Sequence, residues 1–192
     1  YLAQEVLGGL KVSYNGQTLD FTPPWRRITL REAIREGCGL DFEDYPDEDS
    51  LRAKMAADGI GVEEGVGRGK LIDRLLSLFV EPRLLQPTFV LDYPVELSPL
   101  AKRKPDNSRL VERFEGFAGG MEIANAFTEL NDPLEQRERF AEQLRLRERG
   151  DLEAEMPDED FLVALEHGMP PTGGLGVGID RLAMLFTDQQ SI

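Results

Sequence analysis

The chain has 192 residues, 41% of them hydrophobic and 30% charged, which suits one well-packed domain with room for a small insert. Asp and Glu number 36 against 22 Lys and Arg, a net charge of −14. That balance argues against strong RNA binding by the chain itself, because such binding rests on Lys and Arg neutralising phosphates. The single cysteine, Cys38, excludes an internal disulfide. No apolar run approaches the roughly 20 residues that cross a bilayer, so a cytoplasmic protein without membrane contact is expected.

Residues 9–21 alternate as Leu10, Val12, Tyr14, then Leu19 and Phe21 around Asn15-Gly16, which predicts a hairpin. Thr22-Pro23-Pro24-Trp25 ends it. A helix is expected over 29–37, with Thr29 capping, Glu32 closing a capping box, Leu30, Ala33 and Ile34 inward, and Gly37 and Gly39 as the stop. Residues 41–69 are acidic and then glycine-rich, with a helix from about Ser50 to Ala57 before a loop from Gly59 to Gly69. The spacing of Leu71, Ile72, Leu75, Leu76 and Phe79 predicts a helix over Lys70–Val80. Residues 29–87 therefore read as a helical insertion between two parts of one domain, 1–28 and 88–192.

Thr88–Tyr93 is β-prone, and Val95–Asn107 is a loop carrying a locally basic spot, Lys102, Arg103 and Lys104. Arg113–Ala118 and Met121 onward flank Gly119-Gly120, a second hairpin. In the simplest register Ala118 faces Met121, Phe117 faces Glu122 and Glu115 faces Ala124. Glu115 and Glu122 then share one face as diagonal neighbours. Such a pair is either a solvated acidic face or a site for a hard cation such as Mg²⁺, held by carboxylates and substrate phosphates. Asn125, Phe127 and Glu129 have one parity and combine an amide, a ring and a carboxylate. They suit a cationic, polar-ended small molecule, although Phe127 also fits plain core packing. Strict alternation puts them opposite Glu122, and one site for all five requires a bulge or strong twist between Glu122 and Asn125.

Asp132-Pro133-Leu134-Glu135 starts a helix that runs to about Arg149 with Phe140 and Leu144 inward. A shorter helix covers Glu159–Glu166, with His167, the only histidine, as its C-terminal cap. Gly173-Gly174-Leu175-Gly176-Val177-Gly178 reads as a strand whose glycines admit other backbone or a flat ligand. An apolar helix, Leu182–Phe186, follows, with Arg181 at its start. A guanidinium there offers a planar fork to a phosphate. The expected fold is α+β, an antiparallel sheet flanked by helices. The chain begins at Tyr1 rather than Met and stops soon after a helix, so a piece of a longer polypeptide is expected.

Arg113-Phe114-Glu115, the run Glu122–Asp132, Tyr93–Ala101 and Gly173–Phe186 together resemble the C-terminal part of the catalytic domain of bacterial lysyl-tRNA synthetase, a class II aminoacyl-tRNA synthetase. Pro23-Pro24-Trp25-Arg26-Arg27 resembles the segment entering that family's helical insertion. The resemblance implies that Arg181 is catalytic and contacts ATP phosphates. It implies that Glu115 and Glu122 hold ATP-bound Mg²⁺, with Gly176 and Gly178 beside the nucleotide. It also implies that Asn125, Phe127, Glu129 and Gly174 line the lysine pocket. The family's first and second signature motifs and its anticodon-binding barrel are not found in these residues. The resemblance thus implies a portion of a ligase for lysine, ATP and tRNA(Lys), inactive alone, homodimeric in the whole enzyme. Rival readings are an aspartyl or asparaginyl relative, a paralogue that lysylates a protein but lacks the insertion, and a non-catalytic interaction module.

Overall fold

The computed structural model describes residues 1–62 and 65–192. Residues 63 and 64, inside the expected Gly59–Gly69 loop, lie outside the described residues. A short helix absent from the sequence-based reading, α1 (Leu2–Leu7), precedes the first hairpin, β1 (Lys11–Tyr14) and β2 (Gln17–Asp20). Asn15 and Gly16 both have positive φ, as a hairpin turn following the strand twist requires.

The main sheet has five strands in the order β3 (Arg26–Thr29), β4 (Thr88–Leu91), β5 (Arg113–Ala118), β6 (Met121–Thr128) and β7 (Gly173–Val177). Three of the four strand pairs, β4 with β5, β5 with β6 and β6 with β7, are antiparallel, as expected. The first pair is not: β3 lies parallel to β4. No strand was expected at Arg26–Thr29. The segment is short, follows two prolines and exposes both arginines, so no alternating pattern marks it. A parallel pair needs a long crossover, which residues 30–87 supply.

That crossover is helical, with α2 (Leu30–Cys38), α3 (Glu48–Ala57) and α4 (Arg68–Leu75), the last continued by a π-helical stretch, Leu76–Val80. The capping box on α2 forms as expected, with the Thr29 side chain accepting from the Glu32 N–H. Helix α2 ends at Gly39 in the left-handed region. Gly37, expected as a stop, instead lies inside the helix. A Cβ there would sit 2.8 Å from the Phe79 carbonyl oxygen, so its role is close approach to the π-helical stretch.

After the sheet's central hairpin come α5 (Pro133–Glu148), α6 (Glu159–Glu166) and α7 (Ile179–Thr187). Asp132 caps α5 through the Leu134 and Glu135 N–H groups, with Pro133 in its first turn. Phe140 is buried as expected, but Leu144 is 37% exposed. Helix α5 packs through Phe140 against Phe161 of α6 and is also held by polar contacts to a loop. Arg139 donates to the Ser98 and Ala101 carbonyls, and Gln136 donates to that of Pro99.

The two sheet faces bury different partners. Ile28, Val90 and Phe117 join Leu30, Ile34, Leu51, Leu71, Ile72, Leu75 and Leu76 in one apolar cluster. The described residues of 30–87 thus add no strand and share their core with the sheet. Ala118 and Ile123, on the opposite face, pack with Tyr14, Leu19, Leu182 and Leu185 from the first hairpin and α7. Among the described residues no helix is long and apolar enough to cross a membrane.

Candidate active site

The Gly119-Gly120 turn carries positive φ at both residues, and the register beside it is the expected one: Ala118 opposite Met121 and Phe117 opposite Glu122. Beyond that point the register shifts, between Gly116 and Phe117. Glu115 therefore faces Asn125, not Ala124, and Arg113 faces Phe127. The irregularity is the bulge that a single site demands. It gives β6 one extra residue, so Glu122 and Asn125 both fall on the face of Phe117 and Glu115. Strict alternation, which separates them, fails here. The register then continues across β7, with Asn125 opposite Gly176 and Phe127 opposite Gly174.

Glu115 is 8% exposed. Its Oε2 accepts from the Tyr93 hydroxyl at 2.6 Å, and its Oε1 accepts from Arg113. Burial pushes its carboxyl up to about 7. Arg113 and the Tyr93 hydrogen bond oppose that shift, and the charges of Glu122 and Asp73 add to it. The Tyr93 phenol, also buried and facing Glu115, is raised well above its ordinary value and stays a donor. Burial raises Asp73 and Glu81 as well, and Glu122 adds to both. Beyond burial, the charge of Glu122 thus raises the carboxyls of Glu115 on the sheet, Asp73 on α4 and Glu81 beyond the π-helical stretch, a field that favours a cation.

Arg181, in the first turn of α7, reaches the other acid of the pair. Its Nη1 donates to the Glu122 carbonyl at 2.7 Å and to Glu122 Oε2 at 3.2 Å. This ion pair is open to solvent, with side-chain exposures of 50% and 35%. Two recesses result. One, of about 440 Å³, has Tyr93, Arg113 and Glu115 in its lining together with Asp73, Lys70 and Gly69. The other, of about 420 Å³, is lined by Glu122, Asn125, Gly176, Gly178 and Arg181.

Phe127 packs partly on the main core, which satisfies the plain packing reading, and it also stands beside Asn125 on the sheet face. Glu129 continues the same line. Its N–H donates to the Thr172 carbonyl at 2.9 Å. Its carboxyl is pushed up by burial alone, with no charge acting against that shift. Among the described residues it has no hydrogen-bonding or cationic partner. The carboxylate lies over Gly174, in the space a Cβ would take.

Some roles were not legible in the sequence. Arg113 and Tyr93 were read only as motif neighbours, yet they hold Glu115. An arginine two residues before Glu115 on the same strand face is the signal in the sequence that marks Arg113. Lys102, Arg103 and Lys104 form no free basic patch, since they contact Asn131, Glu135 and Asp92 respectively. His167 caps α6 as expected, with Nδ1 at 2.7 Å from the Val163 carbonyl oxygen.

Glu115 and Glu122 supply hard carboxylate oxygens, and among the described residues no group of three or more His, Cys, Asp or Glu is gathered to hold an ion. Two carboxylates without a third protein ligand fit Mg²⁺ that takes its remaining ligands from phosphates and water. They do not fit a closed protein cage.

A largely antiparallel sheet edged by a glycine-rich strand and flanked by helices is the architecture of a portion of a class II aminoacyl-tRNA synthetase. The chain belongs to that family: tRNA synthetases class II (D, K and N) match residues 1–192. Among individual proteins it is similar to the lysine–tRNA ligase of Moorella thermoacetica, 54% identical over 192 residues. It is likewise similar to the lysine–tRNA ligases of Dehalococcoides mccartyi strain BAV1, at 55% over 193 residues, and Roseiflexus castenholzii, at 56% over 191. Each match covers 100% of this chain and 39% of the relative, so the chain spans well under half the relatives' length.

Proposed function

We propose that this chain supplies the amino-acid and part of the nucleotide site of a lysine–tRNA ligase. The observation that carries the reading is Glu129, a partly buried carboxylate without a counter-charge among the described residues. A carboxylate in that state is costly unless a cation meets it. Beside it stand an aromatic ring and an amide, and glycine backbone leaves room above them. A lysine side chain or α-ammonium group supplies the missing charge. An aspartate or asparagine substrate needs cationic or neutral recognition of its side chain instead, and Glu129 speaks against both.

In this reading lysine's carboxylate oxygen attacks the α-phosphorus of ATP, and pyrophosphate leaves. The lysyl group then passes to a ribose hydroxyl of tRNA(Lys), and AMP leaves. Positioning and charge neutralisation do most of the work. Asn125, Phe127, Glu129 and Gly174 hold lysine, and Arg181 neutralises phosphate with Gly176 and Gly178 alongside. Glu115 and Glu122 would hold Mg²⁺, which when bound offsets phosphate charge. The helical segment 30–87 favours the tRNA enzyme over a protein-lysylating paralogue lacking it. Cytoplasmic location, homodimeric assembly of the whole enzyme and weak RNA binding by this acidic portion complete the proposal.

The test is titration calorimetry with lysine and Mg-ATP, together with lysine-dependent ATP–pyrophosphate exchange. Residues 1–192 alone are expected to show no exchange. A polypeptide of the relatives' full length containing them is expected to exchange with lysine and not with aspartate or asparagine. Exchange driven by aspartate, or none with lysine, overturns the reading.

A further inference from the structure

One side chain joins the two recesses. The Arg113 guanidinium is 14% exposed and spends its donors inside the protein. Nε donates to Asn125 Oδ1 at 3.1 Å. Nη1 donates to the Leu97 carbonyl at 3.0 Å and to Ser98 Oγ at 2.8 Å. Nη2 donates to Glu115 Oε1. The guanidinium carbon also lies over the Tyr93 ring, 4.6 Å from its centroid. A group engaged on so many sides is not a free phosphate receptor. Its planar fork instead fixes the relative placement of whatever it touches.

Glu115 lines the first recess and Asn125 the second. We infer that Arg113 is a positioning residue that couples the two recesses, so that a cation taken up at Glu115 alters the amide of Asn125. The inference rests on the proposed function only for the identity of the ligands. Because Asn125 Oδ1 accepts from Arg113, its Nδ2 is left as the donor available to a ligand oxygen. Among the described residues Nδ2 has no protein partner. Rotation of the Glu115 carboxylate toward a cation draws on the same guanidinium that sets this amide. Lysine in place of Arg113 keeps a positive charge but cannot reach the carboxylate and the amide together.

The experiment uses a polypeptide of the relatives' full length containing these residues, with asparagine labelled by ¹⁵N. Mg²⁺ alone is titrated, and the Asn125 side-chain amide signal is followed, assigned by its loss in Asn125→Ser. A second readout is lysine affinity by calorimetry with and without Mg²⁺ and a non-hydrolysable ATP analogue. In the parent, Mg²⁺ is expected to shift the Asn125 signal, and Mg-nucleotide is expected to tighten lysine binding by about fivefold or more. In Arg113→Lys both effects are expected to vanish. Ser98→Ala, which removes one anchor of the fork, is expected to weaken both, and it decides the matter if Arg113→Lys does not fold. A folded Arg113→Lys variant, or Ser98→Ala in its place, that keeps the full Mg²⁺-driven shift overturns the inference. So does a parent whose Asn125 signal ignores Mg²⁺. A parent that shows the shift but binds no lysine supports the coupling and overturns the ligase reading instead.

Discussion

The Glu129 carboxylate lies directly over the α-carbon of Gly174, where any other residue would place its Cβ. The two come from β-strand segments that the register sets side by side, through Phe127 opposite Gly174. Gly174 is thus required by the position of an acid on its neighbour, not by a turn, since its φ lies outside the positive range. Gly174→Ala is expected to fold, because a carboxylate can swing aside. Its lysine affinity is expected to fall by roughly 10-fold or more, the loss of one charge-assisted contact. Circular dichroism and calorimetry on the same sample check both halves, and unchanged lysine affinity removes Gly174 from the pocket.

Glu129→Gln separates charge from shape. The raised Glu129 carboxyl marks a group whose ionisation opposes folding, so its neutral isostere is expected to leave thermal stability equal or slightly higher at pH 7. Lysine binding is expected to disappear. Retained binding places the ammonium group elsewhere.

Acid stability has a different origin, in Glu135. Burial pushes this carboxyl up, but hydrogen bonds and charges from Arg139 and Arg103 outweigh burial and hold it below its ordinary value. A depressed folded-state value stabilises the protein above the unfolded-state value, about 4.3, and that contribution is lost as pH falls through the folded-state value. Parent Tm is therefore expected to exceed that of Glu135→Gln at pH 7, with the gap closing below about pH 4. A gap that persists at pH 3 places the effect in packing instead.

The helical crossover has a local test. Thr29 both ends β3 and caps α2 through its side chain. Thr29→Ala is expected to cost about 1 kcal/mol in urea unfolding.

Gly37→Ala is expected to cost more, about 1–3 kcal/mol, since the obstacle is the Phe79 backbone rather than a mobile side chain. Equal stability of the Gly37→Ala variant and its parent shows that the π-helical stretch can yield.

Much of this molecule is written in short range. The turns at Asn15-Gly16 and Gly119-Gly120, the capping box at Thr29 and the Asp132-Pro133 start of α5 depend on neighbours a few residues away. Hydrogen-bonding side chains and permissive backbone act within that span, so the sequence alone located these elements and the register next to the turn. The likeness of the Arg113–Asp132 and Gly173–Phe186 runs to the synthetase family was legible for the same reason, as residues in order. The tertiary structure decided where those residues point. The bulge beside Gly116 turns Glu122 and Asn125 to one face, and strand period alone gives the opposite result. Pairing of β3 along β4 depends on a crossover that buries its helices on the sheet. Arg113 touches its strand neighbour Glu115, but it also gathers Tyr93, Leu97, Ser98 and Asn125, partners that only chain closure over 12 to 20 residues brings to it. Contacts of that kind balance packing, desolvation and charge across the whole fold, and no local pattern in the chain encodes them singly.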